Sequence, residues 1–351
     1  MQDLESKYFI VGFFFSFAFS WTLTGIMRRL ALFANITDRP DGGRKSQKEP
    51  VPYLGGLAIT LSVLVTVLLG SFFVSLTSEA KADLFYLLIP ATILSLVGLW
   101  DDIKELSPQF RLMIQVILGL AASLTITFGS TTGSATGKNT IDLLLTIFWI
   151  VGITNALNFF DNVDGGAAVA SFMTALGLAI YSILTGQPYL TSFGAILMGV
   201  MLGFFVWNRK PARIYMGDSG ALFLGMLLAT IAVRVDPQTD SKWAAFSVPV
   251  FLLALPILDT STVVIYRVLN KRSPLQGGKD HLSHRLATKG LRHRYILYSF
   301  SMISLLFQLP IFLYLVLGKT GETFVLSIFL FGMVLAWVLF TRIKIRYDAN
   351  N

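Results

Sequence analysis

The chain has 351 residues, 54% of them hydrophobic and only 14% charged, with a formal net charge of +8 and a mean hydropathy of +0.68. A soluble chain carries about a quarter charged residues, so an ordinary water-soluble domain is excluded. The absence of cysteine excludes disulfides and thiolate metal sites, and basic residues gathered in short loops speak for membrane orientation, not for nucleic acid.

Apolar runs of roughly 17 to 25 residues recur along the chain, about the length a helix needs to cross a bilayer. They predict an all-α, polytopic membrane protein forming a single integral-membrane domain over 1–351. Eleven transmembrane helices are expected, at 8–30, 52–77, 84–100, 110–129, 141–158, 165–185, 190–207, 219–235, 243–268, 294–317 and 322–341. The first run is too long for a signal peptide and lacks a small-residue cleavage site, so it reads as a retained helix. Grouping alternate loops separates the basic residues sharply. One set holds only Lys7, Lys81, Lys138, Arg234, Lys242 and Lys319, and the other holds the rest of the 28. The rich side is expected to be cytoplasmic, which puts the N-terminus outside and the C-terminus in the cytoplasm.

Taken in chain order, the five loops on the basic side carry nearly all the unusual residues. They read DRPDGGRKSQKEPVPYLGG (38–56), GLWDDIKELSPQFR (98–111), NALNFFDNVDGG (155–166), NRKPARIYMGDSGAL (208–222) and GGKDHLSHRLATKG (277–290). Each has a bland reading as a solvated helix end, a turn or a loop. Asp101 and Asp102, however, follow a helix, where the macrodipole is unfavourable to acids, so they need a cation, a metal or a function. Asp218 or Ser219 can cap the eighth helix. Asn155, Asn158 and Asp161 step by three residues and drift only about 60° per step, so they share one broad flank of a helix. Polar groups at membrane depth face the bundle interior or a water-filled cavity. All three histidines, His281, His284 and His293, fall within thirteen residues.

Carboxylates and amides are hard oxygen ligands suited to Mg²⁺ or Mn²⁺. Arginine and lysine beside them neutralise phosphate oxygens, and glycines at 42–43, 165–166 and 277–278 let backbone approach a ligand closely. Together these point to metal-assisted phosphoryl transfer at a membrane surface, between a lipid and a soluble nucleotide.

The ordered set DRP…RK…GG, GLWDDIKELSP, NALNFFDNVDGG, PARIYMGDSG and DHLSHRL resembles the polyprenyl-phosphate N-acetylhexosamine-1-phosphate transferases, over nearly the whole chain. The resemblance implies transfer of a sugar 1-phosphate from a UDP-N-acetylhexosamine to undecaprenyl phosphate, with release of UMP and a need for Mg²⁺, in the bacterial inner membrane. It implies Asp101 and Asp102 as the acidic pair, with Asp101 the base, and Asp161 as nucleophile or site organiser. Asp218 becomes the principal metal ligand, aided by Asn158. Lys48, Asp164 and Asn208 fall near the uridine, Tyr215 stacks on uracil and Arg111 binds phosphate. His281, His284 and Arg285 lie near the sugar and diphosphate, and Asn155 joins the substrate-binding set. Membrane lipids are expected partners and nucleic acid is not; a homodimer stays open.

Three departures from the family pattern bear on the donor. Gln47 stands where many relatives have histidine, Arg111 replaces a lysine, and Ser283 interrupts a histidine run. The last favours N-acetylglucosamine-type donors over the muramyl-pentapeptide donor, whose enzymes carry three consecutive histidines. The alternatives weighed are a phospho-MurNAc-pentapeptide transferase, a CDP-alcohol phosphotransferase and an ion-coupled transporter. The CDP-alcohol type packs its acids into one short segment, and transporters often show inverted repeats; neither feature is evident in this sequence.

Overall fold

The computed structural model describes residues 2–38, 50–74, 77–128, 136–238, 242–274 and 278–343. The described chain is nearly all helix. α1 (Gln2–Phe33), α2 (Gly55–Phe73), α3 (Ser78–Lys104), α4 (Pro108–Phe128), α5 (Asn139–Phe160), α6 (Gly166–Leu184) and α7 (Pro188–Asn208) follow one another through short connections. Then come α8 (Gly217–Ala232), α9 (Lys242–Leu252), α10 (Ala254–Leu269), α11 (Leu282–Thr288), α12 (His293–Leu317) and α13 (Glu322–Thr341). Among the described residues, nine of these helices, α1 to α7 with α12 and α13, are long and apolar enough to cross a membrane, and α9 with α10 forms a tenth candidate. Large apolar side chains such as Phe14, Phe72, Phe85, Phe148, Val316 and Phe331 lie exposed along these helices, a surface suited to the hydrocarbon of a membrane.

The predicted eighth segment is α8, sixteen residues long and so about 24 Å, shorter than a hydrocarbon core of about 30 Å. It has no need to face lipid. Every residue from Ser219 to Ala232 is buried, and α8 packs against α2, α3 and α5. Small residues allow that close approach. A Cβ on Gly98 of α3 would stand 2.6 Å from the Ser219 amide nitrogen. A buried chain of hydroxyls links the same helices, with Thr60 to Ser95 at 2.7 Å and Ser95 to Ser219 at 3.1 Å. α3 and α8 run antiparallel: Arg234, just past α8, pairs with Asp83 near the start of α3 at 2.9 Å, while the start of α8 meets Asp102 near the end of α3. Asp83 and Asp102 are about 28 Å apart along a helix.

The predicted ninth helix is not continuous. α9 and α10 meet at an 81° bend, and Pro256 gives the reason. Proline has no N–H to offer the carbonyl four residues earlier and its ring crowds that carbonyl, here that of Leu252. The Leu252 carbonyl accepts instead from Thr174 Oγ1 at 3.1 Å and from Gln308 Nε2 at 3.3 Å.

The sequence reading missed three small elements. Strands β1 (Thr37–Asp38) and β2 (Val51–Pro52) pair antiparallel, with Thr37 opposite Pro52, and α11 forms within the fifth loop. β2 also binds the fourth loop, because Tyr215 N donates to Pro52 O at 2.8 Å. Lys48, Gln47, Gly42, Gly43 and Gly277 lie outside the described residues.

Candidate active site

The end of α3, the start of α4, the end of α5 and the start of α8 come together at one end of the bundle. Asp101 and Asp102 lie inside the last turn of α3 and not beyond it. Asp101 is 8% exposed; its Oδ1 accepts from Leu106 N and its Oδ2 from Arg111 Nη1. The same Arg111 nitrogen also donates to Asp218 Oδ2. The other Asp218 oxygen accepts from Asn158 Nδ2 at 2.8 Å. One cationic nitrogen therefore bridges two carboxylates, and an amide completes the group.

Asp102 has a different task. Its oxygens accept from Asp218 N at 2.8 Å and Ser219 N at 3.1 Å, satisfying N–H groups that a helix start leaves without intrahelical partners. The cap comes from a neighbouring helix, not from Asp218 or Ser219 as the sequence suggested. This arrangement also resolves the placement of acids at the end of α3, since the negative end of one macrodipole is offset by the positive end of the next. Gly217, at φ +67°, has no room for a side chain because a Cβ would meet the Asp102 carboxylate.

Asp161 caps the end of α5. Among the described residues its side chain makes no hydrogen bond or ion pair, and burial, with added repulsion from Asp218 and Asp164, pushes its carboxyl up to about 7. Asn155, one turn and a half back, donates to Gln115 and to Val151 O, at 2.8 Å for the latter. Asp164 accepts from Ala212 N at 3.1 Å. Asn208 is buried, accepts from Gly165 N at 2.9 Å and donates to Ile214 O at 2.9 Å. Asp164 and Asn208 thus tie the third loop to the fourth, and the Gly165 N–H serves that tie. Tyr215 projects from the fourth loop with its ring 6.2 Å from that of Tyr53. Burial, aided by Asp164, Asp38 and Asp161, pushes its hydroxyl up to about 12, so it stays neutral.

The fifth loop is held from inside. Asp280 is fully buried and takes both oxygens to Arg267, at 2.7 Å from Nε and 2.6 Å from Nη2. Burial raises the Asp280 carboxyl, but the hydrogen bonds and charge of Arg267 outweigh it and hold the group below its ordinary range. Arg285 is also fully buried. It donates to the carbonyls of Asp280, Phe340 and Ile343 and lies 4.3 Å over the Tyr266 ring. That joins α11 to the end of α13. His281 Nδ1 lies 2.8 Å from Asp259 Oδ2. His284 is half-buried, and burial chiefly holds its imidazole below the ordinary value. Ser283 Oγ donates to Asn162 Oδ1, which attaches the fifth loop to the residue after Asp161.

The sequence reading gave no site role to Asp259, Arg267, Asp280 or Gln115. Asp259 had a signal, a carboxylate within the apolar run ALPILDTSTVV, since ionisable residues in such runs mark function. Among the described residues no three acidic or histidine side chains form a ready-made metal cage. The carboxylates of Asp101 and Asp218 instead gather hard oxygens at one place, with the Asn158 side chain beside them. The Arg111 nitrogen already held between Asp101 and Asp218 shows that this place accommodates positive charge.

A family model described as glycosyl transferase family 4 matches residues 84–236, from α3 to just past α8. The fifth loop lies outside that match. The probable undecaprenyl-phosphate N-acetylglucosaminyl 1-phosphate transferase of Bacillus subtilis is 30% identical over 315 residues, covering 88% of this chain and 86% of the relative. The decaprenyl-phosphate N-acetylglucosaminephosphotransferase of Mycolicibacterium smegmatis is 30% identical over 306 residues, covering 77% of this chain and 73% of its own length. The phospho-N-acetylmuramoyl-pentapeptide-transferase of Streptococcus thermophilus is 28% identical over 236 residues, covering 62% and 66%.

Proposed function

The chain belongs to glycosyl transferase family 4, and from that premise we propose that it transfers N-acetylglucosamine 1-phosphate from UDP-N-acetylglucosamine to undecaprenyl phosphate. The observation that carries this reading is the Asp101–Arg111–Asp218–Asn158 group at one end of an apolar bundle. A diphosphate needs cations and a lipid phosphate needs a membrane surface, and this place offers both.

In the reaction, an oxygen of the lipid phosphate attacks the phosphorus that bears the sugar. The bond from that phosphorus to the bridging oxygen breaks, and UMP leaves with the oxygen. The lipid keeps a diphosphate joined to the sugar. Asp161 takes the proton from the attacking phosphate: among the described residues its carboxyl has no hydrogen-bond or ion-pair partner, and burial, with repulsion from Asp218 and Asp164, pushes it up to about 7, toward the range in which a general base works best. Asp101 holds Arg111, and Asp102 holds the start of α8 and with it Asp218. The remaining guanidinium N–H groups of Arg111 are available to diphosphate oxygens. Mg²⁺, or Mn²⁺ in its stead, is the proposed cofactor, which Asp218 and Asp101 would hold, with the Asn158 amide oxygen joining if its side chain turns over. When bound, it neutralises charge on the diphosphate. Tyr215 offers its ring to the uracil.

Eleven crossings follow if α8 and the α9–α10 pair each count as one. The N-terminus then lies outside and the site faces the cytoplasm of a bacterial inner membrane, in keeping with the basic residues at that end. The test is purified protein with undecaprenyl phosphate and UDP-GlcNAc, UDP-GalNAc or UDP-MurNAc-pentapeptide, with UMP release measured. Release from UDP-GlcNAc that stops with EDTA and returns with Mg²⁺ is expected. Preferential use of the muramyl-pentapeptide donor, or turnover that survives chelation, overturns the reading.

A further inference from the structure

Asp259 sits on α10 and is fully buried. Its Oδ2 lies 2.8 Å from His281 Nδ1, and its Oδ1 accepts from Leu282 N at 2.6 Å. Burying a carboxylate away from water costs several kcal/mol unless its oxygens are matched by donors. Here both oxygens are matched by the one segment that carries His281. With an acceptor-only carboxylate facing Nδ1, the ring proton belongs on Nδ1, which leaves Nε2 on the far side of the ring. The His281 side chain is 11% exposed while Asp259 is 1% exposed, so of the pair only the histidine keeps an appreciable accessible surface.

The surroundings make this a fixed arrangement. Asp280, the residue before His281, is clamped by Arg267 from the same helix as Asp259. Ser283, two residues after His281, is bonded to Asn162, the neighbour of Asp161. The segment therefore has anchors on both sides, and the imidazole between them has one orientation.

We propose that Asp259 is a positioning residue that locks His281 in its Nδ1–H form and presents Nε2 to the UDP-sugar. This rests on the proposed function for its substrate, and on the contacts of Asp259 alone for its geometry. A neutral Nε2 accepts a hydrogen bond from a sugar hydroxyl or amide N–H. Had the proton sat on Nε2, the ring would offer a donor there and lose that contact.

The chain has only three histidines, so ¹⁵N-histidine labelling gives a spectrum of three rings, with His281 assigned by its loss in His281→Gln. At a pH where the ring is neutral, wild-type His281 is expected to carry its proton on Nδ1. In Asp259→Asn the amide can donate toward Nδ1, and the proton is expected to move to Nε2. The same variant is expected to lower kcat for UMP release roughly 10- to 100-fold, as loss of an orienting carboxylate does for metal-bound histidines. In a His281→Gln background the added effect of Asp259→Asn is expected to stay within about twofold, since the carboxylate then has no ring to orient. An Nε2–H ring in the wild type overturns the proposal, and so does a full loss on Asp259→Asn in the His281→Gln background. Should Asp259→Asn fail to fold, the wild-type spectrum decides by itself. A wild type that releases no UMP from any donor removes the proposed function but leaves the tautomer measurement intact.

Discussion

Asp101 commits one oxygen to a backbone N–H and the other to Arg111, whereas Asp161 has no side-chain partner among the described residues and titrates at about 7. A base acts in its deprotonated form, so kcat is expected to rise as pH increases through about 7. Asp161→Asn is expected to remove that limb and to cost roughly 10²- to 10⁴-fold in kcat, and a pH–rate profile of both proteins checks it. Asp280 provides the contrast, a carboxylate held below its ordinary range by Arg267. Its folded value lies below its unfolded one, so its stabilisation is present at neutral pH and is lost as pH falls below about 4. Asp280→Ala leaves the Arg267 charge buried and unmatched and is expected to destabilise the protein by about 3–5 kcal/mol at pH 7, read by thermal unfolding in detergent. Both residues stood in quoted motifs, but spacing alone could not show which carboxylate had a partner. Partners such as Arg267 lie on other segments.

Between elements, the α9–α10 bend shows how a membrane protein tolerates a broken helix. A carbonyl that loses its intrahelical donor inside hydrocarbon must find another, and Leu252 finds Thr174 and Gln308. Gln308 also donates to Met173 O at 3.1 Å, which staples α6 and α12 to the bend. Gly177 gives it space, since a Cβ there would run into the Gln308 amide. Gln308→Leu removes both bonds and is expected to cost about 1–3 kcal/mol. Thr174→Val combined with it is expected to cost more than the sum of the two single changes, because Leu252 O is then left with neither donor. Unfolding of the two single variants and the double variant in the same detergent checks this coupling. Pro256 stands inside the run 243–268 that the sequence predicts as one helix, and whether a proline kinks, breaks or merely bends a helix depends on which donors surround the freed carbonyl.

At the scale of the whole molecule, the alternation of basic loops predicts sidedness that labelling can read directly. The chain has no cysteine, so single cysteines need no background removal. Lys289, exposed between α11 and α12, and Lys81, exposed near the start of α3, are expected on opposite faces. In intact cells a membrane-impermeant maleimide is expected to modify Lys81→Cys and to spare Lys289→Cys, with the reverse in inverted vesicles; labelling of both from one side would break the proposed topology. The sequence by itself determined the helical class, the apolar segments that become the long helices and the residue types available to a site. Those follow from apolar run length and from which atoms bind cations and phosphate, and both are properties of the local chain. Tertiary structure alone decided which donors satisfy the Leu252 carbonyl, the capping of α8 by Asp102, the bridging position of Arg111 and the inward turn of Arg285 and Asp259. Each depends on a partner far away in the chain, as with Asp102 and Asp218 or Asp259 and His281. In a bundle whose interior excludes water, the meaning of a polar residue is set by the donor or acceptor that folding brings within about 3 Å of it.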